Sequence, residues 1–131
     1  MVIVDTTVWI DYLSGAPTPQ ANWLDQEVEH RRIGLTDIIL CEVLQGVRDD
    51  RLFADVEAAL LDFEISTTGG TELAIAAATN YRALRARGRT VRTTIDGLIA
   101  TFCLLNGHAL LHNDRDFDNF EQVLGLQVVH P

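Results

Sequence analysis

Short aliphatic runs alternate along this chain with longer stretches of helical spacing. Val2-Ile3-Val4 is β-branched and too short for a helix, and predicts a first buried strand. From Thr6 to Leu13, Val8, Trp9, Tyr12 and Leu13 recur at helical spacing, until Gly15, Pro17 and Pro19 break the chain. Gln20 to Arg31 predicts an amphipathic helix carrying Trp23, Leu24 and Val28, and Ile33 to Leu35 a second strand. Thr36 or Asp37 is placed to cap the apolar helix that follows. Asp50 to Leu61 predicts another helix, and Phe63-Glu64-Ile65 a short third strand. Thr71 to Arg87 is an Ala-rich helix with Gly88 placed to end it. Thr93-x-x-Asp96 resembles a capping box that opens the next apolar helix. Ala109 to His112 and Leu126 to Val129 predict a fourth and a fifth strand. Short apolar strands alternating with helices predict an α/β fold, an open parallel sheet covered on both faces.

At 131 residues, with no internal repeat or low-complexity tract, the chain is expected to form a single domain over residues 1–131. Cys41 and Cys103 form no C-x-x-C pair and predict small core residues of a reduced, cytoplasmic protein. No basic segment precedes an apolar stretch at the N-terminus, and no apolar run approaches the ~20 residues of a membrane span, so neither secretion nor insertion is expected. The net charge of −9 argues at first sight against a polyanionic partner. That argument weakens if several carboxylates are neutralised by a metal. All ten basic residues are arginine, and Arg82, Arg85, Arg87, Arg89 and Arg92 fall close together, so local charge matters more than the total.

Four acids stand where apolar side chains would be expected. Asp5 ends Val2-Ile3-Val4, Glu42 is the sole charge in Ile38 to Val47, Asp96 the sole charge in Ile95 to Leu105, and Asp114 follows Ala109-Leu110-Leu111-His112-Asn113. Acids are seldom buried unless paired or bound to a metal, and there is no lysine in the chain to pair with. The pattern predicts a site for a hard, oxygen-loving cation, Mg²⁺ or Mn²⁺. Asp5 and Asp114 follow predicted strands, where open α/β sheets collect functional groups. Glu42 and Asp96 fall in the first turns of apolar helices, where the dipole favours an anion. Taken singly, Asp5 could be a turn residue and Asp96 a helix cap. Glu42 is harder to explain in that way, since almost every position around its helix is apolar.

Other chemistries fall away on the residues. The alternating acids of Asp114-Arg115-Asp116-Phe117-Asp118 lack the glycine and glutamate of a calcium loop, whose places are taken by Asn119 and Gly125. Asp116 remains a candidate ligand, and Asp118 is expected to be solvated. The absence of lysine removes a phosphate-binding P-loop, receiver domains and haloacid-dehalogenase-type phosphatases. His30, His108, His112 and His130 have no zinc-ligand spacing. His112, beside Asn113 and Asp114, is expected to be structural, or at most to support a metal-holding residue from behind.

Together these motifs resemble the PIN-domain ribonucleases, and among them the VapC toxins of bacterial toxin–antitoxin pairs. Val2-Ile3-Val4-Asp5-Thr6-Thr7-Val8-Trp9 is similar to the family's opening, and Glu42 in Leu40-Cys41-Glu42-Val43-Leu44-Gln45-Gly46 to its second acid. Asp96 after Thr90-Val91-Arg92-Thr93-Thr94-Ile95, and Asp114 in His112-Asn113-Asp114-Arg115-Asp116-Phe117, match the third and last. The resemblance covers essentially the whole chain. It implies a PIN-like three-layer α/β/α fold with a five-stranded parallel sheet. It further implies Mg²⁺- or Mn²⁺-dependent endonucleolytic cleavage of RNA, neutralisation by a small VapB-like antitoxin, and a homodimer. On this reading Asp5, Glu42, Asp96 and Asp114 are catalytic and hold the metal with Asp116. Thr6 and Asn113 support the site, and Arg89 and Arg92, in the loop leading to Asp96, contact RNA or antitoxin. Trp9, Tyr12 and Trp23 are expected to anchor the antitoxin. The alternatives are a non-catalytic PIN-like interaction module, which loss of an acid would favour, and a metal-dependent phosphatase of small substrates.

Overall fold

The computed structural model describes residues 1–131. Four short strands form one parallel sheet in the order β3-β2-β1-β4: β1 Val2–Val4, β2 Ile33–Thr36, β3 Glu64–Ser66 and β4 Ala109–Leu111. Val4 of β1 pairs with Leu111 of β4, and Ile3 with Gly34 of β2. The first strand is therefore central, and strand order reverses between β1 and β4.

The crossovers explain where the helices lie. From β1 the chain passes through α1 Thr6–Ser14 and α2 Pro19–Glu27 to β2, then through α3 Asp37–Gln45 and α4 Asp50–Leu61 to β3. It then returns across the sheet to β4 through α5 Gly70–Ala86 and α6 Thr94–Asn106. Parallel crossovers are right-handed, so the reversal of direction puts the first four helices on one face and the next two on the other. Packing agrees: α1 meets α2 and α3, α3 meets α4, and α5 meets α6 and α7 Asp118–Leu124. One core cluster joins the layers through Ile3, Val4, Leu35, Ile39, Ile99, Leu110, Leu111 and Phe117, all fully buried. Trp9 sits in it, edge-on to Phe63 with ring centroids 4.7 Å apart.

Helix ends follow the sequence. Thr36 and Thr93 accept the Ile39 and Asp96 amides, at 3.1 and 3.2 Å, and so fix where α3 and α6 begin. Gly88 lies just beyond α5 with φ of 72°. No helix is long and apolar enough to cross a membrane.

Three expectations need correction. The fifth strand shrinks to one bridge, Leu110 to Val128, because only Leu126 of that segment is buried and nothing pairs with its outer edge. Cys41 is exposed, since it stands two positions from both Ile39 and Val43 and so on the opposite side of α3 from the buried face. Trp9 is fully buried, and no partner could use it as an exposed anchor.

Candidate active site

The reversal of strand order brings the carboxyl ends of β1 and β4 side by side. Asp5 directly follows β1, with 4% of its surface exposed, and its amide donates to the Leu111 carbonyl at 2.9 Å. Asp5 stands at the N-cap of α1 without accepting the usual capping hydrogen bond. Burial pushes its carboxyl up to about 7. The Thr6 amide pulls against that shift, and the charges of Asp96, Glu42 and Asp114 add to it. No cationic side chain pairs with it.

Glu42 reaches the same region from the second turn of α3, half-buried, and its Oε1 accepts the Thr6 hydroxyl at 2.7 Å. Thr6 therefore links the strand-end acid to the helix-borne one. Asp96 lies in the first turn of α6, half-buried. Burial again raises its carboxyl most, against the opposing Thr93 hydrogen bond, with the charges of Asp114, Asp116 and Glu42 contributing.

Asp114 caps a 3-10 turn, Arg115–Phe117, its Oδ1 accepting the Asp116 amide at 3.0 Å. That turn brings Asp116 round beside it. One carboxylate oxygen from each of Asp96, Asp114 and Asp116 lies within 4.8 Å of the other two. His112 orients this corner: its Nδ1 accepts the Asp114 amide at 3.1 Å and its ring packs on Phe117 at 4.9 Å. With Nδ1 accepting, the neutral ring carries its proton on Nε2. Burial holds His112 below its usual pKa.

The remaining candidates fall in different places. Arg92 lies across the acids, its Nε 2.8 Å from Asp116 Oδ2 and a terminal nitrogen 3.5 Å from Asp114 Oδ1. Nothing in the sequence paired these residues, because the contact spans the α6 and β4 crossover. Arg89 points elsewhere, donating to Asn119 at 3.0 Å and Gln122 at 2.9 Å on α7. Asn113 is exposed, on the rim of a small polar cleft that it lines together with His112, Asp114, Asp118 and His130. Asp118, expected to be solvated, is half-buried at the start of α7.

The donor set fits a hard divalent cation. Every available atom is an oxygen. Asp5 is a carboxylate buried without any cationic side chain, and the one arginine nearby is taken up by Asp116 and Asp114. A cation supplied there would favour the charged form of such a group and offset the cost of its burial.

Residues 2–123 match the PIN domain family. The chain belongs to that family. PIN-domain relatives include ribonuclease VapC11 of Mycobacterium tuberculosis H37Rv, 31% identical over 131 residues, which cover 97% of this chain and 96% of that protein. VapC ribonuclease Mb1587 of Mycobacterium bovis is similar to the same extent. Among solved structures, the fold is similar to FitAcB from Neisseria gonorrhoeae, with a TM-score of 0.79 at 19% identity, covering 99% of this chain and 97% of that one. VapBC2 from Rickettsia felis, bound to a DNA fragment from its promoter, gives 0.78 at 17% identity, covering 98% of each chain. The PIN-like layered α/β architecture is thus present here with four paired strands.

Proposed function

We propose that this PIN domain is an endoribonuclease dependent on Mg²⁺ or Mn²⁺, acting as the toxin of a toxin–antitoxin pair in the cytoplasm. The observation that carries the proposal is Asp5, a carboxylate 4% exposed, facing Asp96, Glu42 and Asp114 with no cationic side chain of its own. The VapC ribonucleases among its relatives supply the substrate class.

In this reading Asp5, Asp96, Asp114 and Asp116 would hold the cation, with Glu42 contributing a carboxylate beside them. When bound there, a divalent cation would offset the charge of the phosphodiester and lower the pKa of water toward neutrality. Glu42 has one oxygen fixed by Thr6 at 2.7 Å, which leaves the other to orient the attacking water. His112 holds the Asp114 backbone, so that its carboxylate keeps one direction. Arg92, exposed beside Asp114 and Asp116, would meet the substrate phosphate.

The partner is a small VapB-like antitoxin. Its apolar segment has a place between α1, α3 and α4, a cleft of about 220 Å³ lined by Ile10, Leu13, Val43, Val47, Leu52 and Val56. Ile10 and Leu52 are 45% and 53% exposed, so this surface replaces Trp9 as the expected anchor. Tyr12 and Trp23 are half-buried, Trp23 beneath Arg31 at 5.6 Å.

The test is purification with and without the co-expressed neighbouring small protein, followed by RNA cleavage in Mg²⁺ or chelator. Cleavage by the free chain that chelator, Asp96→Asn or the partner abolishes is the expected result. Metal-independent cleavage, or a folded chain inert toward all cellular RNA, overturns the proposal.

A further inference from the structure

The stretch from Leu73 to Ile95 contains no acid, in a chain of net charge −9, and holds five of its ten basic residues. The structure gives this stretch a cavity. Between α5 and the first turns of α6 lies a groove of about 590 Å³, lined by Tyr81, Arg82, Arg85, Thr93, Gly97 and Leu98 among others. Small residues, Ala74, Ala77 and Ala78, complete its α5 wall and leave space for a flat ring. Tyr81 is 43% exposed, and the Arg85 guanidinium lies 5.6 Å from its ring centroid. The ion pairs of the chain involve neither Arg82 nor Arg85. The groove also adjoins the acids: Thr93 lines it, and the same Thr93 caps the Asp96 amide at 3.2 Å.

We propose that this groove binds the nucleotides flanking the cleavage point of a single-stranded RNA. A base stacks on Tyr81, and backbone phosphates pair with Arg82 and Arg85. The proposal rests on the ribonuclease reading and adds the path of the substrate away from the acids. An aromatic face with adjacent arginines is how proteins hold single strands without reading sequence, and unstacked bases are what such platforms accept in RNA. The volume suits a nucleotide-sized ligand. Charge decides between occupants. The cleft between α1, α3 and α4 lacks any charged residue, as an apolar peptide requires. The α5–α6 groove, though its walls are largely apolar, also presents the guanidinium groups of Arg82 and Arg85, which no acid pairs and a polyanion satisfies.

The test uses a fluorescein-labelled single-stranded RNA of mixed sequence. Binding is followed by anisotropy in chelator at several salt concentrations, and cleavage in Mg²⁺ by initial rates. The Arg82→Gln/Arg85→Gln double variant should bind at least tenfold more weakly. Its salt slope should fall by about 1.4, at ~0.7 per phosphate for single strands. Tyr81→Ala should lose about tenfold or more, from one base stack, and Tyr81→Phe should bind as the parent does. In cleavage, KM rises and kcat holds. These residues are exposed, and unchanged melting curves confirm folding. A parent that cleaves RNA while all variants bind and cleave equally overturns the groove and leaves the nuclease reading standing. A parent that binds but never cleaves, with variants that lose binding, does the reverse. Unaltered RNA binding with a changed oligomeric state, or with loss of the co-purified antitoxin, makes the groove a protein interface and also overturns the proposal.

Discussion

Replacing Asp5 with asparagine should stabilise the metal-free protein at alkaline pH, by an amount set by the shift in its carboxyl. In the unfolded chain this acid titrates at 3.8 and in the folded chain at about 7. Below the lower value both states are protonated and the group is neutral to stability. As pH rises from there, the unfolded chain releases its proton while the folded chain keeps it, so stability falls across the window and levels off above about 7. About three units at ~1.36 kcal/mol each give about 4 kcal/mol of destabilisation at pH 8. Asp5→Asn removes the charge and nearly preserves shape. The variant should gain about 2–4 kcal/mol in urea unfolding at pH 8 in chelator, and close to nothing at pH 4. Desolvation is the larger cause and repulsion from Asp96, Glu42 and Asp114 the smaller, so high salt should leave most of the gain in place. Millimolar Mg²⁺ or Mn²⁺ should raise the melting temperature of the parent at pH 8 and leave the variant nearly unmoved. An equal gain at pH 4 and pH 8, or no gain at either, would refute the reasoning.

Thr6→Val removes the donor to Glu42, and should lower kcat for RNA cleavage about tenfold, as expected for a hydrogen bond to a charged group. Thr6→Ser should restore the rate, and failure to do so would remove the hydroxyl from the mechanism. Phe117→Ala empties the fully buried support beneath the 3-10 turn, and should cost about 3–5 kcal/mol in denaturant unfolding. Gly34→Ala would put a methyl group 2.6 Å from the Glu64 carbonyl and 2.8 Å from Met1 Sδ. Since a strand backbone cannot yield there, about 1–3 kcal/mol of stability should be lost.

The parts of the site readable in the sequence are those set by local pattern. Glu42 stood out because its helix is otherwise apolar, and that helix packs where the pattern put it, through Ile39 and Val43. The neighbourhood of Asp5 and Asp114 was conditional on strand order, and the pairing of Val4 with Leu111 supplies it. What stayed hidden depends on contacts distant in sequence. Trp9 has the spacing of an exposed aromatic anchor until Phe63 covers it. Arg92 and Arg89 are three residues apart in one loop, yet one meets Asp116 and the other Asn119. The last apolar segment has the composition of a strand, but it runs along the sheet's edge and forms a single bridge.

The central place of β1 has a consequence for how the protein comes into being. Its neighbour on one side, β4, is the last strand made, and Asp5 and Asp114 meet only when that strand has docked. A chain growing from its N-terminus holds Asp5 and Glu42 well before Asp114 exists to join them. On the proposed reading, a growing chain is therefore inert until β4 has been made and has docked beside β1.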